Sequence, residues 1–341
     1  MLLIPNAPWS NDVGVDLGTG NTLVHVRGRG VVVNEPSVVA VQRSDRSVRA
    51  IGLEAKRMLG RTTADVQAIR PLRDGVIADV DIAEAMLRRF LKQAMPRRIR
   101  ATRPRVVVGV PSGITELERR AVRSSAAAAG AREVYMIAEP IAAAIGVGMA
   151  VDTPTGNMVI DIGGGTTEIA VMSLGGIVAD ASIRVAGDEM DQAIMVYARK
   201  QHNLLIGEAT AETIKMHLGC AIPDPEIRDM EVRGRDLVSG IPRGATFNSH
   251  EVCECIQEPI QTIIDAVGRA LEITPPELAA DIIDRGIVMC GGGALIRGLD
   301  TAIERRMGVP VRVAEEPLMA VVRGTAAILD NFERYRWILR D

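Results

Sequence analysis

Two short segments of the sequence, at residues 16–21 and 161–166, combine an aspartate with closely spaced glycines. Glycine adopts backbone angles that other residues avoid, and without a Cβ its amide N–H can approach a phosphate. An aspartate beside phosphate is repulsive unless Mg²⁺, held through water, lies between them. Two such segments facing each other predict a clamp for a nucleoside triphosphate with magnesium. The residues are Asp16, Gly18, Thr19, Gly20 and Asn21, then Asp161, Gly163, Gly164, Gly165 and Thr166.

A third glycine run follows the apolar residues 287–289. One Asp-led glycine turn is usually only a tight turn, whereas three related turns favour phosphate binding. The turns lack the lysine of a P-loop, and their glycines precede a strand where a dinucleotide-binding fold has a helix. The third run is Gly291, Gly292 and Gly293, followed by Ala294.

The residues around each Asp-led turn predict a strand, a turn and a second strand. Apolar residues dominate 13–15 and 23–26 around the first turn, and 158–160 and 169–172 around the second. Because the same pattern recurs halfway along the chain, it indicates a duplication with one hairpin opening each half.

The segment between the hairpins predicts alternating strands and helices. Residues 106–111 have the pattern of a buried strand, and Thr115 and Glu118 have the spacing of a capping box. The helix that they open should end at Gly130, where glycine favours termination. This alternation predicts an α/β fold with helices on both faces of each sheet.

Two segments fit the core pattern poorly and are interpreted as inserted subdomains. The predicted domain I comprises residues 1–153 and 318–341, with an insertion at about 34–74. The predicted domain II comprises residues 154–317, with an insertion at about 188–244.

The composition limits the classes of partner. The 341 residues suffice for two domains, and the net charge of −3 gives no general attraction to nucleic acid, so none is predicted as a partner. We find no cleavable signal segment and no apolar run long enough to span a membrane. The cysteines show no metal-ligand spacing, which predicts reduced thiols in the cytoplasm. They are Cys220, Cys253, Cys255 and Cys290.

Residues 96–105 carry five arginines. Each arginine near an anionic membrane surface contributes about 1 kcal/mol, so a polymer of such chains would bind strongly. This predicts membrane contact, with a merely solvated basic loop as the alternative. The candidate membrane residues are Met95, Arg97, Arg98, Ile99 and Arg100.

Several motifs together carry a family resemblance. The two Asp-led hairpins, Glu139 followed by Pro140, and the third glycine run resemble the actin, Hsp70 and sugar-kinase superfamily. The resemblance narrows to the MreB family of bacterial actin homologues and extends from residue 13 to about 327. The segments that narrow it are 34–40, 73–79, 161–168, 205–212 and 274–278.

This resemblance implies an actin-like ATPase fold, with two duplicated ribonuclease-H-like domains that each carry a small inserted subdomain. It implies ATP or ADP with Mg²⁺ in a central cleft, slow ATP hydrolysis, and assembly into a homopolymer of paired protofilaments. The polymer would lie at the inner face of the cytoplasmic membrane. There it would organise cell-wall synthesis and rod shape with cell-wall elongation and shape proteins.

The resemblance also assigns roles to individual residues. Glu139 would position the attacking water, Thr166 would assist it, and Asp161 would act through magnesium. The glycine at position 187, the third glycine run and a Glu-x-x-Lys segment would contact the nucleotide. From the residues alone, Glu139 could instead cap the following helix, and the Glu-x-x-Lys segment could be a solvated helix face. The additional nucleotide residues are Gly187, Glu212 and Lys215.

Three positions depart from the pattern of the family. Gly20 stands where many relatives have alanine, Ala138 where many have a second acid, and Met216 where a basic residue is common. The change at Met216 bears on recognition of the adenine base. Two rival functions share the fold, namely an Hsp70-like chaperone motor, for which the chain ends too early, and a small-molecule kinase.

Overall fold

Two large mixed β-sheets dominate the computed structural model, which describes residues 11–95 and 103–339. The strands are β1 (Val13–Leu17), β2 (Asn21–Val26), β3 (Gly30–Pro36), β4 (Val39–Gln42), β5 (Val48–Ile51), β6 (Val66–Ile69), β7 (Leu72–Arg73), β8 (Val76–Ile77), β9 (Arg105–Val110), β10 (Glu133–Ala138), β11 (Asn157–Ile162), β12 (Thr167–Ser173), β13 (Gly176–Ile183), β14 (Leu204–Leu205), β15 (Asp229–Asp236), β16 (Pro242–Asn248), β17 (Ile287–Cys290) and β18 (Val311–Val313).

Helices cover these sheets. They are α1 (Leu53–Lys56), α2 (Val80–Ala94), α3 (Glu116–Ala129), α4 (Glu139–Gly146), α5 (Gly187–His202), α6 (Glu208–Leu218), α7 (Ser249–Cys255), α8 (Gln257–Glu272), α9 (Pro276–Arg285), α10 (Leu299–Met307), α11 (Ala320–Asp330) and α12 (Phe332–Tyr335), with 3₁₀ turns at Gly292–Leu295, Pro317–Met319 and Arg336–Ile338. No helix within the described ranges is both long and apolar enough to cross a membrane.

The two large sheets have the same topology. The first has the strand order β10-β9-β1-β2-β3 and the second the order β13-β12-β11-β17-β18. In each, three consecutive strands pair antiparallel, and two later strands add in parallel beside the first of them. This equivalence agrees with the predicted duplication and with the predicted α/β class.

Each half also carries a small three-stranded sheet. The order β5-β4-β6 forms one within the predicted first insertion, and β14-β15-β16 forms the other in the second. However, β3 stays in the first large sheet as far as Pro36, and β16 continues to Asn248. The subdomain boundaries stay a prediction.

The helix predicted from Thr115 is present with its capping box. The Thr115 hydroxyl accepts from the Glu118 amide, and the Glu118 carboxylate accepts from the Thr115 amide at 2.9 Å. Gly130 ends α3 with a φ of 112°, a conformation that favours glycine. These local signals are independent of the rest of the fold, so the sequence predicts them well.

Helices α4 and α11 pack against each other and against the two large sheets, and so hold the halves together. A Cβ on Gly146 would lie 1.9 Å from the Ala320 carbonyl oxygen, and one on Gly324 would lie 1.8 Å from that of Ala142. The neighbouring residues Ala142 and Ala320 belong to one apolar cluster with residues of both large sheets, including Val107 and Val159. The backbones therefore meet in a dry, tightly packed hinge.

Candidate functional site

The first glycine turn joins β1 to β2 and is fixed by its own backbone and by Ser37. The Gly18 amide donates to the Asn21 carbonyl at 3.1 Å. The Ser37 hydroxyl donates to the Gly18 carbonyl at 2.6 Å, and the Ser37 amide donates to Gly20 at 3.0 Å. A Cβ on Gly18 would come within 2.7 Å of the Asn21 oxygen, so the turn requires glycine there.

The second turn joins β11 to β12 and is held from the start of α5. The Gly163 amide donates to the Thr166 carbonyl at 2.8 Å, which closes the turn. The Gly187 amide donates to the Gly163 carbonyl at 3.3 Å, and the Asp188 amide donates to Gly164 at 2.7 Å. Gly187, which the resemblance implied as a nucleotide residue, therefore lies beside the second turn.

The two turns touch each other across the space between the halves. A Cβ on Gly164 would lie 3.2 Å from the Gly20 nitrogen. A Cβ on Gly165 would lie 2.9 Å from the Asp74 nitrogen and 3.0 Å from Cγ2 of Thr19. Glycines without side chains are what allow this approach, and Gly20 and Gly164 line one cavity.

The cavity beside the turns has a volume of about 560 Å³, within the usual range for a small-molecule site. Most of the predicted nucleotide residues line it. The exceptions are Gly165, which packs against Asp74, and Ala294, which is 3% exposed in the core of the second half. The lining includes Asp16, Gly18, Thr19, Gly20, Asn21, Glu139, Asp161, Gly163, Gly164, Thr166, Gly187, Glu212, Lys215, Gly291, Gly292 and Gly293.

Carboxyl groups converge on the floor of this cavity. Burial, and then the charge of Asp161, raises the pKa of Asp16 to about 8. Burial, and then the charge of Glu168, raises the pKa of Asp161 to about 7. A hydrogen bond from Cys290 opposes this rise. Burial raises the pKa of Glu139 well above its usual range, and Asp16, Asp161 and Glu168 raise it further. The part of Asp16 that is exposed faces the cavity.

Glu139 has no capping role here. It is the first residue of α4, whose N-cap is Ala138, and no side chain caps this helix. Its carboxyl group is 8% exposed and lies within electrostatic range of Asp16 and Asp161. The location therefore favours chemistry in the cavity over the helix-cap alternative.

Glu168 belongs to this acidic group, although the sequence did not single it out. It pairs with Asp161 across β11 and β12 and is 3% exposed. Its carboxylate accepts from the Ser112 amide at 3.3 Å, which links the second half to the loop after β9 in the first. The Ser182 hydroxyl donates to the other oxygen. The signal available in the sequence was an acidic residue at a strand position that faces inward.

This acidic group predicts an unusual pH dependence of stability. The pKa values of Asp16 and Asp161 rise on folding from 3.8 to about 8 and about 7, so the folded protein binds more protons than the unfolded chain in that interval. We therefore expect these two groups to lower the stability of the ligand-free protein progressively as the pH rises above about 5. Its thermal midpoint should fall by at least about 4 °C as the pH rises to 8.

Scanning fluorimetry in a chelating buffer measures this midpoint. An Asp16→Asn variant, which cannot ionise at this position, should show a shallower pH dependence. A midpoint that stays level or rises from pH 5 to 8 would contradict the assignment of these pKa values.

The site residues fit a hydrated divalent cation. Three carboxyl groups around one cavity carry unfavourable negative charge unless protons or a cation neutralise it, as the raised pKa values show. Among the described residues, no three acidic, histidine or cysteine side chains are close enough to hold a metal ion directly. A hydrated magnesium ion beside these acids would supply the neutralising charge.

The Glu-x-x-Lys segment lies on α6 and lines the same cavity, with Lys215 engaged by protein atoms. Its Nζ donates to the Gly187 carbonyl at 2.7 Å and to Asp191 at 2.8 Å. Burial raises the pKa of Asp191 to about 6, although Lys215 opposes the shift. Glu212 pairs with Lys56 across the cavity. Lys215 therefore supports the second turn, and α6 is not simply a solvated face.

The described residues include only part of the predicted membrane segment. Met95 is completely buried in the core of the first half, so its assignment as a membrane contact is wrong for this structure. Its place at the end of an amphipathic helix explains the error, because α2 turns Met95 inward. Arg105 forms an ion pair with Asp12 at 2.8 Å. The residues Arg97, Arg98, Ile99 and Arg100 lie outside the described ranges.

Comparisons with known proteins agree with this geometry. The family profile described as "MreB/Mbl protein" matches residues 10–336. The cell shape-determining protein MreB of Escherichia coli strain K12 is 53% identical over 96% of this chain and 95% of its own length. Mbl of Bacillus subtilis is 48% identical over 96% and 98%. MreB5 of Spiroplasma citri bound to AMPPNP has a TM-score of 0.90 and 39% identity, covering 95% and 97% of the two chains.

Two duplicated domains that meet at a glycine-lined cleft define the class as an actin-like ATPase, which confirms the predicted fold. Within that class the chain belongs to the MreB/Mbl family. Its role is that of an actin-like cytoskeletal protein in cell shape, and the chaperone and kinase alternatives are not supported.

Proposed function

We propose that this chain binds ATP with Mg²⁺ in the cleft, hydrolyses it slowly, and uses the change to control head-to-tail assembly into filaments. The observation that carries the proposal is the direct contact of the two glycine turns above a buried group of acids. The relative from Spiroplasma citri, at 39% identity, has been solved with AMPPNP and with ADP. We transfer that ligand class to the matching cleft of this chain.

The backbone would bind the phosphates. Amides of the first turn come from domain I, and those of the second from domain II, so a bound triphosphate stabilises the closed arrangement of the halves. The Thr19 hydroxyl accepts from the Gly75 amide at 3.3 Å, and a Cβ on Gly75 would lie 2.7 Å from Cγ2 of Thr166. Residues 74–75 thus tie Thr19 and Thr166 together at the point where the turns meet.

Two side chains would act on the attacking water. Glu139 reaches the cavity from the start of α4, which packs in the apolar cluster of the hinge. Once a bound cation offsets the charges of the neighbouring acids, its carboxylate would ionise and accept a hydrogen bond from that water. The Thr166 hydroxyl lines the same cavity and offers a second hydrogen-bonding group. Positioning and electrostatics are most of what phosphoryl transfer requires, and few protein groups suffice for a slow reaction.

Asp16 and Asp161 would hold the hydrated magnesium ion, one from each half of the chain. When bound, magnesium neutralises the charge that develops on the phosphate oxygens. Ionised Asp16 and Asp161 are then stabilised by the cation instead of being protonated. Glu168 would keep the loop after β9 in place through its bond to the Ser112 amide.

Two features support filament formation. They are membership of the MreB/Mbl family and the position of the cleft between two halves. A closed and an open arrangement of the two halves would present different surfaces at the ends of a subunit, so nucleotide state would bias assembly. We further propose that the polymer lies at the inner face of the membrane and works with cell-wall elongation and shape proteins. The names of the relatives, which describe cell-shape determination, support that setting.

Sedimentation with electron microscopy tests the proposal. Purified protein is incubated with Mg²⁺ and ATP, ADP or no nucleotide, with and without vesicles that contain anionic phospholipid. We expect polymers in the pellet with Mg²⁺ and ATP, more of them on vesicles, and fewer with a chelator. Protein that binds ATP and stays monomeric on vesicles under all these conditions would overturn the proposed function.

A further inference from the structure

Ion pairs join the two insertions across the mouth of the cleft. Lys56 of α1 contacts Glu212 of α6, with its Nζ 2.9 Å from one carboxylate oxygen and 2.7 Å from the other. Arg70 lies 3.7 Å from Asp188 and 4.0 Å from Glu208. Among the described residues, no other ion pair connects these insertions. The first half supplies every cation and the second half every carboxylate.

Four of these five residues line the nucleotide cavity, and Glu208 lies beside it as a partner of Arg70. Lys56, Arg70, Asp188 and Glu212 all line it together with the glycine turns. The side chains of Lys56 and Glu212 are 27% and 32% exposed, whereas Asp161 on the floor is 9% exposed. The ion pairs are therefore nearer to solvent than the acids on the floor of the same cavity.

The contrast with the hinge decides which contacts break when the cleft opens. At the hinge, α4 and α11 pack backbone to backbone in an apolar cluster, so rotation there leaves most contacts in place. At the mouth, the polar connections between the insertions are partly exposed ion pairs, which are individually weak and screened by salt. Opening of the mouth must separate Lys56 from Glu212 and Arg70 from its two acids.

The same acids are connected to the second glycine turn. The Asp188 amide donates to the Gly164 carbonyl at 2.7 Å. Lys215, one helical turn after Glu212, donates to the Gly187 carbonyl at 2.7 Å. A shift of the turn on phosphate binding would thus move Asp188 and α6 relative to the opposing cations.

We propose that Lys56 and Arg70 form an ionic latch with Glu212, Asp188 and Glu208 that limits the rate at which nucleotide leaves the cleft. This inference rests on the proposed function, because it concerns the same nucleotide site. The latch makes release, and hence exchange of ADP for ATP in the subunit, dependent on ionic strength. Residues of the first insertion therefore act in nucleotide retention without contacting the phosphates.

Stopped-flow release of a fluorescent ADP analogue, in the presence of Mg²⁺, tests the latch in the full chain. A partly exposed ion pair contributes up to about 1 kcal/mol, so Lys56→Ala should release the analogue up to about fivefold faster. Lys56→Arg, which keeps the charge, should stay near the wild-type rate. Raising the ionic strength should accelerate release from the wild type more than from Lys56→Ala.

Arg233→Ala is the matched control, because Arg233 pairs with Glu231 inside the second insertion and does not cross the cleft. It should release the analogue at the wild-type rate. Because Glu212 lines the nucleotide site itself, its contribution to the latch is measured by a double-mutant cycle. The cycle compares the release rates of Lys56→Ala, Glu212→Gln and the double variant. The latch predicts that Lys56→Ala has a smaller effect in the Glu212→Gln background.

The outcomes separate this proposal from the proposed function. Normal binding and hydrolysis of ATP, with release that is unchanged in Lys56→Ala and additive in the cycle, would overturn the latch alone. Absence of any nucleotide binding by the wild type would overturn both.

Discussion

A Glu139→Gln variant should bind Mg²⁺ and ATP with nearly wild-type affinity and hydrolyse ATP at least about 100-fold more slowly. The substitution keeps the shape of a side chain that is 8% exposed at the start of α4. It removes the carboxylate that would accept a hydrogen bond from the attacking water. It also removes one acid from a group in which burial, and then repulsion by Asp16, Asp161 and Glu168, raises the pKa of Glu139, so the protein should remain folded.

Single-turnover hydrolysis and equilibrium binding of a fluorescent ATP analogue measure these two effects separately. Glu133→Gln is a suitable control, because Glu133 begins the strand that leads to Glu139 and forms an exposed ion pair with Arg132. The control should match the wild type in both measurements. An equal and mild effect of Glu139→Gln on binding and on hydrolysis would contradict its assigned role.

Asp161→Ala should instead impair the binding of Mg²⁺ and ATP, weakening it by about 10–100-fold, as expected for a residue that holds a metal ion through water. Asp161 is the penultimate residue of β11, the strand that leads into the second glycine turn, and is 9% exposed. Because burial and Glu168 raise the pKa of Asp161 to about 7, its ionised form is costly without a cation. Ligand-free Asp161→Ala should therefore be at least as stable as the wild type at pH 8.

Titration calorimetry with ATP, at fixed and varied Mg²⁺ concentration, measures this loss. Asp180→Ala serves as the control, because Asp180 is exposed on β13 of the same sheet. Hydrolysis by Asp161→Ala should recover in part at high Mg²⁺ concentration. If the variant binds Mg²⁺ and ATP like the wild type, Asp161 has no part in holding the cation.

The predictions that succeeded from sequence rest on local or periodic signals. The capping box of Thr115 and Glu118 needs only the neighbouring backbone, and Gly130 ends its helix because of its own conformational freedom. The two strand-turn-strand patterns recur because both halves form the same sheet. Such features are visible in any window of a few residues.

The errors and omissions concern contacts between distant segments. Met95 was assigned to the membrane from its basic neighbours, but α2 directs it into the core. In the sequence Glu168 has the pattern of an ordinary strand residue. The hydrogen bond from the Ser112 amide shows that it lies between the halves. Lys56 carried no sequence signal at all, because its partner Glu212 is 156 residues away.

The duplicated α/β fold and the two Asp-led turns could be predicted from the amino-acid sequence, because backbone conformation and the alternation of apolar residues are local requirements. The contact between Gly20 and Gly164, and the burial of Asp16, Glu139 and Asp161 on one floor, became visible only in the folded chain. The raised pKa values follow from that shared burial, and the ion pairs at the mouth follow from the way the hinge closes the halves. Both depend on distances between residues far apart in the chain, which no local pattern specifies.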